Sequence, residues 1–340
     1  MAIKTVIQFD TDDGKLLSVE RTNTRKGKAG QPVLLVHGAG VRSRIFKPPV
    51  PNNLDDVLAA QGYDVWNLDW RASIDQEPNQ WTLDHSAVYD YPAVVRTIIE
   101  HTSHTDIKAV VHCQGSTGFM MSLVSGLLPE ISTVISNAVS LHPVVPKLAR
   151  LKALYAVPSF GRLLPYLNPQ WGLNTPKGWP RLFDFYVRST HHECNNPVCK
   201  WSSFTYGASF PTLWAHENLT NATHDWLAGE FAHVPMSFFR QMSKSIKAGH
   251  LVSTGVFDEL PNSMVSHAPK TDARIVLLAG ENNNCFLPES QARSFDYFDK
   301  ISPGKHSFHE LSNYGHLDVF IGRDAPTDVF PLIVDELRAR

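Results

Sequence analysis

The stretch Ile107-Lys-Ala-Val-Val-His-Cys-Gln-Gly-Ser-Thr-Gly118 decides how the rest of this chain is interpreted. Its first half is apolar and β-branched, which predicts a buried strand. The strand leads into a sharp turn through Cys113-Gln114-Gly115-Ser116, and a helix is predicted over residues 117–128. A buried strand, a tight turn and a helix in succession can present one reactive side chain at the end of a sheet.

Cysteine is the predicted nucleophile of this turn. In the usual pattern a small residue lies two positions before and two positions after the nucleophile, and the frame Val111-His112-Cys113-Gln114-Gly115 places Cys113 at the centre. Gly115 supplies the residue without Cβ that the crowding of helix and strand requires, whereas Val111 departs from the usual glycine. A frame centred on Ser116 places the turn late and is the alternative. A cysteine that only fills space is the other alternative.

The composition is that of an ordinary globular protein. The chain has 340 residues, of which 43% are hydrophobic and 19% are charged, and its net charge is −2. This balance suits one large domain with an insertion and gives no reason to expect nucleic acid or an anionic membrane surface as a partner. Residues 1–14 lack signal-peptide features, and no apolar stretch reaches the roughly 18 residues of a membrane span. Scattered cysteines favour a reduced, cytoplasmic protein.

Strands and helices are predicted to alternate along most of the chain. Besides the strand at Ile107, apolar or alternating runs predict strands at residues 5–9, 16–22, 32–37, 63–69, 134–141, 273–279 and 306–311. Helical spacing predicts helices at residues 54–61, 84–101, 291–300 and 327–340. A basic loop is expected at residues 25–31. The alternation predicts a mostly parallel, doubly wound α/β sheet.

The alternation breaks over residues 144–250, which we call the cap segment. This segment is rich in Trp, Phe, Tyr, Leu and Pro and has helix-like patches. We expect residues 1–143 and 251–340 to form the α/β core and the cap segment to be a helical insertion that covers the site. Its aromatic residues are expected to form its own core and to line a pocket for an apolar substrate.

Three polar residues follow predicted strands in the order Cys113, Asn283, His316. The carboxyl ends of parallel strands carry the sites of α/β sheets, so these residues are expected to meet. His316 would be the general base. Asn283 would orient the imidazole by accepting its Nδ1–H bond, as an asparagine can beside a cysteine nucleophile. Glu281 and Asp258 are the alternative third residues.

The chain resembles the α/β-hydrolase family over residues 32–141 and 273–340, on the motifs His37-Gly38, the Cys113 turn and Gly315-His316. The resemblance implies the order nucleophile, acid-type residue, histidine. It also implies an oxyanion hole formed by the backbone N–H groups of Ala39 and Gln114.

A narrower resemblance is to the hydrolase-like domain attached to some cholesterol-oxidase-like flavoproteins. It rests on four motifs: Asp69-Trp70-Arg71-Ala72-Ser73, His112-Cys113-Gln114-Gly115-Ser116, Glu281-Asn282-Asn283 and Tyr314-Gly315-His316-Leu317-Asp318. It implies functional association with an oxidoreductase. The chain has no glycine fingerprint for a dinucleotide, so no flavin domain and no cofactor are expected.

We therefore expect hydrolysis of a carboxylic ester or thioester of an apolar substrate through an acyl-enzyme on Cys113. The helix N-terminus and His316 are expected to lower the pKa of Cys113 and to form a thiolate–imidazolium pair at rest. An acyltransferase on the same site and a ligand-binding protein without catalysis are the alternatives.

The remaining cysteines give a weaker signal. His191, His192, Cys194 and Cys199 are close in sequence and carry zinc-type ligand atoms. The run lacks the paired spacing of a zinc finger, so no metal site is expected there. A disulfide between Cys194 and Cys199 is the alternative.

Overall fold

The structure is a computed structural model of the chain, and it describes residues 3–23, 30–161 and 163–339. Most of the basic loop expected at residues 25–31 lies outside these ranges. None of the helices in the described part of the chain combines the length and the apolar character that a membrane span requires.

One sheet of eight strands forms the centre of the molecule. Its strands are β1 (Ile3–Asp10), β2 (Leu16–Asn23), β3 (Pro32–Val36), β4 (Asp64–Asp69), β5 (Ile107–His112), β6 (Ile131–Asn137), β9 (Arg274–Gly280) and β10 (Ser307–Leu311). Two short strands, β7 (Tyr166–Leu167) and β8 (Val234–Pro235), pair with each other in a separate sheet. The order is β1-β2-β4-β3-β5-β6-β9-β10. β2 is antiparallel to β1 and to β4, and the other pairs are parallel. The predicted mostly parallel α/β sheet is confirmed.

Helices cover both faces of the sheet. In the core they are α1 (Leu54–Ala60), α2 (Leu83–His85), α3 (Tyr91–Thr102), α4 (Cys113–Val124), α11 (Pro288–Ile301), α12 (Asp318–Ile321), α13 (Ala325–Asp328) and α14 (Phe330–Arg338). In the cap segment they are α5 (Lys147–Leu151), α6 (Val157–Phe160), α7 (Trp179–Thr190), α8 (Pro197–Tyr206), α9 (Asn221–Trp226) and α10 (Met236–Ala248). All six residues of β5 are buried, as expected for a central strand with helices on both faces.

Two of the differences from the predicted boundaries have a clear backbone cause. The helix after β5 was expected to begin at residue 117, but α4 begins at Cys113. The turn is shorter because Cys113 itself takes a left-handed conformation and reverses the chain within one residue. The strand expected at residues 134–141 is β6, which ends at Asn137 because Ala138 also has a positive φ, of 57°.

The cap segment contacts the core at several polar points. Arg42 of the core pairs with Glu230, with Nε and Oε2 2.7 Å apart. The backbone N–H of Leu83 donates to the side-chain oxygen of Gln241 at 2.8 Å. The division of the chain into an α/β core and an inserted cap stays a prediction.

Candidate active site

Cys113 lies at the turn between β5 and α4. β5 ends at His112, and Cys113 follows with φ +55°. This left-handed region is unfavourable for a residue with a Cβ, and such strain is concentrated at functional sites. The turn therefore has the backbone geometry of a nucleophile elbow, with Cys113 at the nucleophile position.

Two glycines allow the chain to pack closely around this turn. A Cβ on Gly115 would lie 2.0 Å from the carbonyl oxygen of His37, and a Cβ on Gly38 would lie 3.1 Å from Cys113 Cβ. Ser116, the alternative nucleophile, is fully buried, and its hydroxyl bonds to a serine hydroxyl of β6. The geometry favours Cys113 over Ser116 because only the cysteine occupies the strained turn.

His316 lies beside Cys113, in the loop between β10 and α12. Side-chain nitrogen or sulfur atoms of His112, Cys113 and His316 lie within 4.8 Å of one another. His316 is buried, and neither of its ring nitrogens has a hydrogen-bond partner in the described residues. The structure thus brings the predicted nucleophile and the predicted base together without a hydrogen bond between them.

Sequence reasoning assigned no role to His112 or Asn137, which both contact His316. The rings of His112 and His316 have centroids 4.8 Å apart. The amide Nδ2 of Asn137 donates to the backbone carbonyl of His316 at 3.0 Å and lies 2.9 Å from His112 Nδ1. Because an amide N–H can only donate, His112 Nδ1 accepts and its proton lies on Nε2. The position of His112 directly before Cys113 was the one available signal.

Burial keeps Cys113 and His316 neutral. It raises the pKa of the Cys113 thiol to about 12, against a smaller lowering effect of the Gln114 backbone N–H. It also lowers the pKa of His316 to about 3. The expectation of a lowered thiol pKa and a resting thiolate–imidazolium pair was wrong for this state, because the loss of hydration disfavours both charged forms.

Asn283 is the only buried residue among the three candidates for the third position. Its Oδ1 accepts from the backbone N–H groups of Cys285 and Phe286, at 2.9 and 3.1 Å. Its Nδ2 is buried without a partner in the described part of the chain. Glu281 and Asp258 are exposed. No hydrogen bond joins Asn283 to the ring of His316 in the described residues, so its orienting role stays a prediction.

The loop expected to supply an oxyanion-hole donor is held by the cap segment. Tyr206, at the end of α8, donates its hydroxyl to the carbonyl oxygen of Ala39 at 2.7 Å. Burial raises the pKa of Tyr206, so the hydroxyl stays protonated. On the opposite side, the N–H of Gly40 donates to Ala72 O at 3.1 Å. These bonds fix both polar groups of the Ala39–Gly40 peptide unit, which directly follows the Ala39 N–H; the role of that N–H, and that of the Gln114 N–H, stay predictions.

A mainly apolar cavity of about 640 Å³ opens from Cys113 and Gln114. The cap segment and the loop before α11 supply apolar walls, which include Val145, Ala153, Phe238, Phe239, Met242 and Phe286. A second cavity, of about 1370 Å³, lies between α5 and α7, and Lys152 and Gly207 line both cavities. The lining of both cavities suits an apolar molecule.

Among the described residues, Lys152 is the cation that lines the first cavity. Its ammonium donates to the backbone carbonyls of Phe204 and Gly207. It also lies 4.1 Å from the centre of the Phe204 ring. Burial lowers the pKa of Lys152 to about 7, so its charge changes near neutral pH.

Donor sets that could hold a metal ion occur at two places in the described residues. One is His112, Cys113 and His316, which together line a small pocket beside Gly38 and Ala39, while Cys113 also lines the apolar cavity. The other lies in the cap segment and consists of Cys194, Cys199, His216 and His224. The first set fits acyl chemistry because it adjoins the cavity and the oxyanion loop.

A family model described as the alpha/beta hydrolase fold matches residues 31–322. Human lipase member K is 32% identical over 152 residues, 40% of this chain and 38% of that protein. Bovine gastric triacylglycerol lipase is 25% identical over 353 residues, 95% of this chain and 85% of that protein. The chain thus spans little more than a third of the length of the first curated relatives that it matches.

Solved structures resemble this one over its whole length. The structure of DcsB in complex with its substrate analogue has a TM-score of 0.61 and 15% identity, and the match covers 99% of both chains. At this level of identity the similarity shows a shared fold.

Proposed function

Because the chain belongs to the α/β-hydrolase fold family, we propose that it cleaves carboxylic esters or thioesters of apolar substrates through an acyl-enzyme on Cys113. One observation carries the proposal. A strained turn residue lies within 4.8 Å of an imidazole nitrogen and faces a mainly apolar cavity. The lipase names of the curated relatives support an apolar ester as the substrate class.

The first step transfers the acyl group to sulfur. His316 removes the proton of the Cys113 thiol while Sγ attacks the acyl carbon, because the neutral pair holds no thiolate at rest. The negative charge then develops on the former carbonyl oxygen, where the N–H groups of Ala39 and Gln114 stabilise it. The tetrahedral intermediate collapses, the alcohol or thiol leaves with the proton from His316, and a thioester remains on Cys113.

The second step returns the enzyme to its starting state. His316 removes a proton from water, and the resulting hydroxide attacks the thioester carbon. The C–S bond breaks, the carboxylic acid forms, and the proton on His316 returns to the thiolate. Water is consumed once in each cycle.

Asn283 is proposed as the residue that orients His316. The base needs a free Nε2 and a proton on Nδ1, so the partner of Nδ1 must be an acceptor. The amide oxygen of Asn283 would meet this requirement after giving up one of the two backbone N–H groups, of Cys285 and Phe286, that it accepts here, whereas its Nδ2 would select the wrong tautomer. A carboxylate at this position would also stabilise the imidazolium that forms during the reaction.

Covalent trapping tests the assignment of the nucleophile. After incubation with an activated ester or a chloromethyl ketone, peptide mass spectrometry should find the adduct on Cys113. Cys285→Ser is the matched control, because this buried cysteine lines the same cavity and its loss should leave the adduct in place. If Cys113→Ser retained full turnover while Ser116→Ala abolished it, the assignment would be refuted. An unreactive Cys113 thiol in a protein that binds ligand tightly would favour the ligand-binding alternative.

Acyl transfer to an alcohol or thiol is the second candidate function. It is favoured by the burial of Cys113, which is 4% exposed, because exclusion of water from a thioester favours another acceptor. Adding alcohol or thiol acceptors to the activated-ester assay separates the two functions. A transferase gives acyl acceptor as the main product, whereas a hydrolase gives free acid.

The resemblance to a flavoprotein-attached domain supports a narrower proposal. We infer a functional association with an oxidoreductase whose product or substrate is an apolar ester or alcohol. Co-purification of the tagged chain with an oxidoreductase from its source would support the association, and a tagged chain purified without one would count against it. A cytoplasmic location stays a prediction.

A further inference from the structure

Four side chains of the cap segment converge on one point. Cys194, Cys199, His216 and His224 each provide a sulfur or nitrogen atom, and these atoms lie within 4.8 Å of one another. Cys199 Sγ lies 3.4 Å from His216 Nε2. A tetrahedral zinc ion, with sulfur at about 2.3 Å and nitrogen at about 2.0 Å, holds its ligand atoms roughly 3.3 to 3.8 Å apart. Side-chain movements of about 1 Å would therefore complete the tetrahedron.

We propose that these residues, Cys194, Cys199, His216 and His224, bind a zinc ion as a closed structural site. Two thiolates and two imidazoles form a soft, mixed donor set that selects zinc over magnesium or calcium. Four protein ligands leave no coordination position for water or substrate, so the site would stabilise the cap segment and take no part in the chemistry. The proposal does not depend on the identity of the nucleophile.

The pairing of the four residues suits a metal. Both cysteines are free thiols in the structure. His224 Nε2 is buried without a hydrogen-bond partner in the described residues. A buried polar atom without a partner costs free energy, and a metal ion would supply the missing partner.

Asn196 holds the elements that carry these ligands. Its Oδ1 caps α8 by accepting from the N–H groups of Val198 and Cys199, at 3.0 and 3.2 Å. Its Nδ2 donates to the backbone carbonyl of His224 at 3.2 Å. One side chain thereby fixes the start of α8 against α9, an arrangement typical of the hydrogen bonds that support metal ligands.

The sequence run pointed to the wrong histidines. His191 and His192 do not belong to the four-residue group; His192 bonds to the carbonyl of Ser189 instead. The partners of the two cysteines are His216 and His224, which lie on later elements of the cap segment. The expectation of no metal site rested on the local run alone.

The site would also stabilise the neighbourhood of His316. His216 lies three residues after Leu213, whose carbonyl accepts the backbone N–H groups of His316 and Leu317, at 3.2 and 2.8 Å. Zinc would therefore fix the segment against which the histidine loop packs. Loss of zinc should lower the melting temperature and reduce turnover with little change in KM.

Metal analysis of the purified chain tests the proposal. Protein produced with added zinc and then dialysed should contain about one zinc ion per chain. Cobalt exchanged into the protein should show the visible absorption of a tetrahedral thiolate complex. Cys199→Ser and His224→Ala should each lose most of the metal, whereas the surface variant His192→Ala should keep it.

Two further variants keep the test decisive. Cys113→Ser removes the sulfur of the other donor set and should leave the zinc content unchanged. Cys194→His replaces one ligand with another and should retain zinc if Cys199→Ser fails to fold. Zinc-free parent protein, a Cys194–Cys199 disulfide in peptide maps, or metal that is lost with Cys113→Ser would each overturn the proposal.

Discussion

Replacing His316 with glutamine should make the folded protein less sensitive to acid. Burial lowers the pKa of His316 to about 3, whereas the ordinary value is 6.5. Between these two values the unfolded chain binds a proton that the folded chain excludes. Falling pH therefore favours unfolding through this residue, and the stability that its neutral form provides returns as the pH rises toward 6.5.

The size of the effect follows from the two pKa values. Through His316 alone, a decrease from pH 6 to pH 4 should reduce the free energy of unfolding by about 2.5 kcal/mol, because each bound proton contributes about 1.4 kcal/mol per pH unit. A non-ionisable residue removes this contribution. Other buried histidines contribute equally to both proteins and cancel in the comparison, except His112, whose pKa is lowered mainly by burial and further by its neighbour His316.

Urea unfolding at a series of pH values provides the assay. The free energy of unfolding of the parent should fall more steeply between pH 6 and 4 than that of His316→Gln. The difference between the two slopes should correspond to about one bound proton. His316→Leu is the matched control. The slope of unfolding free energy against pH depends on the number of protons bound and not on side-chain packing, so both variants should give the same slope. Parallel curves for parent and variants would show that His316 titrates normally, and the neutral resting pair would be refuted.

Three other changes test separate features. Gly115→Ala should lower the free energy of unfolding, measured by thermal unfolding, by about 3 kcal/mol or more, since its Cβ would lie 2.0 Å from the His37 carbonyl oxygen. Gly229→Ala, with open space around it, is the control, and equal losses of stability in the two variants would contradict the argument. Tyr206→Phe removes the hydrogen bond to the Ala39 carbonyl and should lower kcat about fivefold, because one such hydrogen bond contributes about 1 kcal/mol. An unchanged kcat in an activated-ester assay would show that the loop needs no such support. The pH profile of kcat/KM for Lys152→Met, which lacks the cavity ammonium that titrates near pH 7, should be flat between pH 5 and 9, because the pKa values of the His316 imidazole and the Cys113 thiol are about 3 and about 12; a limb near pH 6.5 in this variant would count against this.

The central sheet was predictable because local pattern and tertiary environment agree there. β5 is mainly apolar and β9 contains a continuous apolar run, and both strands are almost entirely buried in the structure. Cys113, Asn283 and His316 could be proposed as neighbours because each follows the carboxyl end of a predicted strand. The start of α4 was missed because it depends on one strained residue, and propensity does not predict a left-handed cysteine.

Electrostatics and long-range contacts were not predictable from local sequence. A cysteine at a helix N-terminus beside a histidine suggests a low pKa, but burial outweighs that effect and reverses the sign. The convergence of Cys194 and Cys199 with His216 and His224 joins elements separated by a helix and a loop. Only the folded cap segment reveals it.

The carbonyl of Leu213 has a consequence for chimeric proteins. Residues 213–218 of the cap segment supply the acceptor for two backbone N–H groups of the histidine loop, and Ala215 and Asn218 donate to Asp318, the first residue of α12. A graft that replaces residues 213–218 would displace His316, the proposed general base, while leaving every core residue unchanged. Graft boundaries that retain residues 213–218 would change selectivity and preserve catalysis.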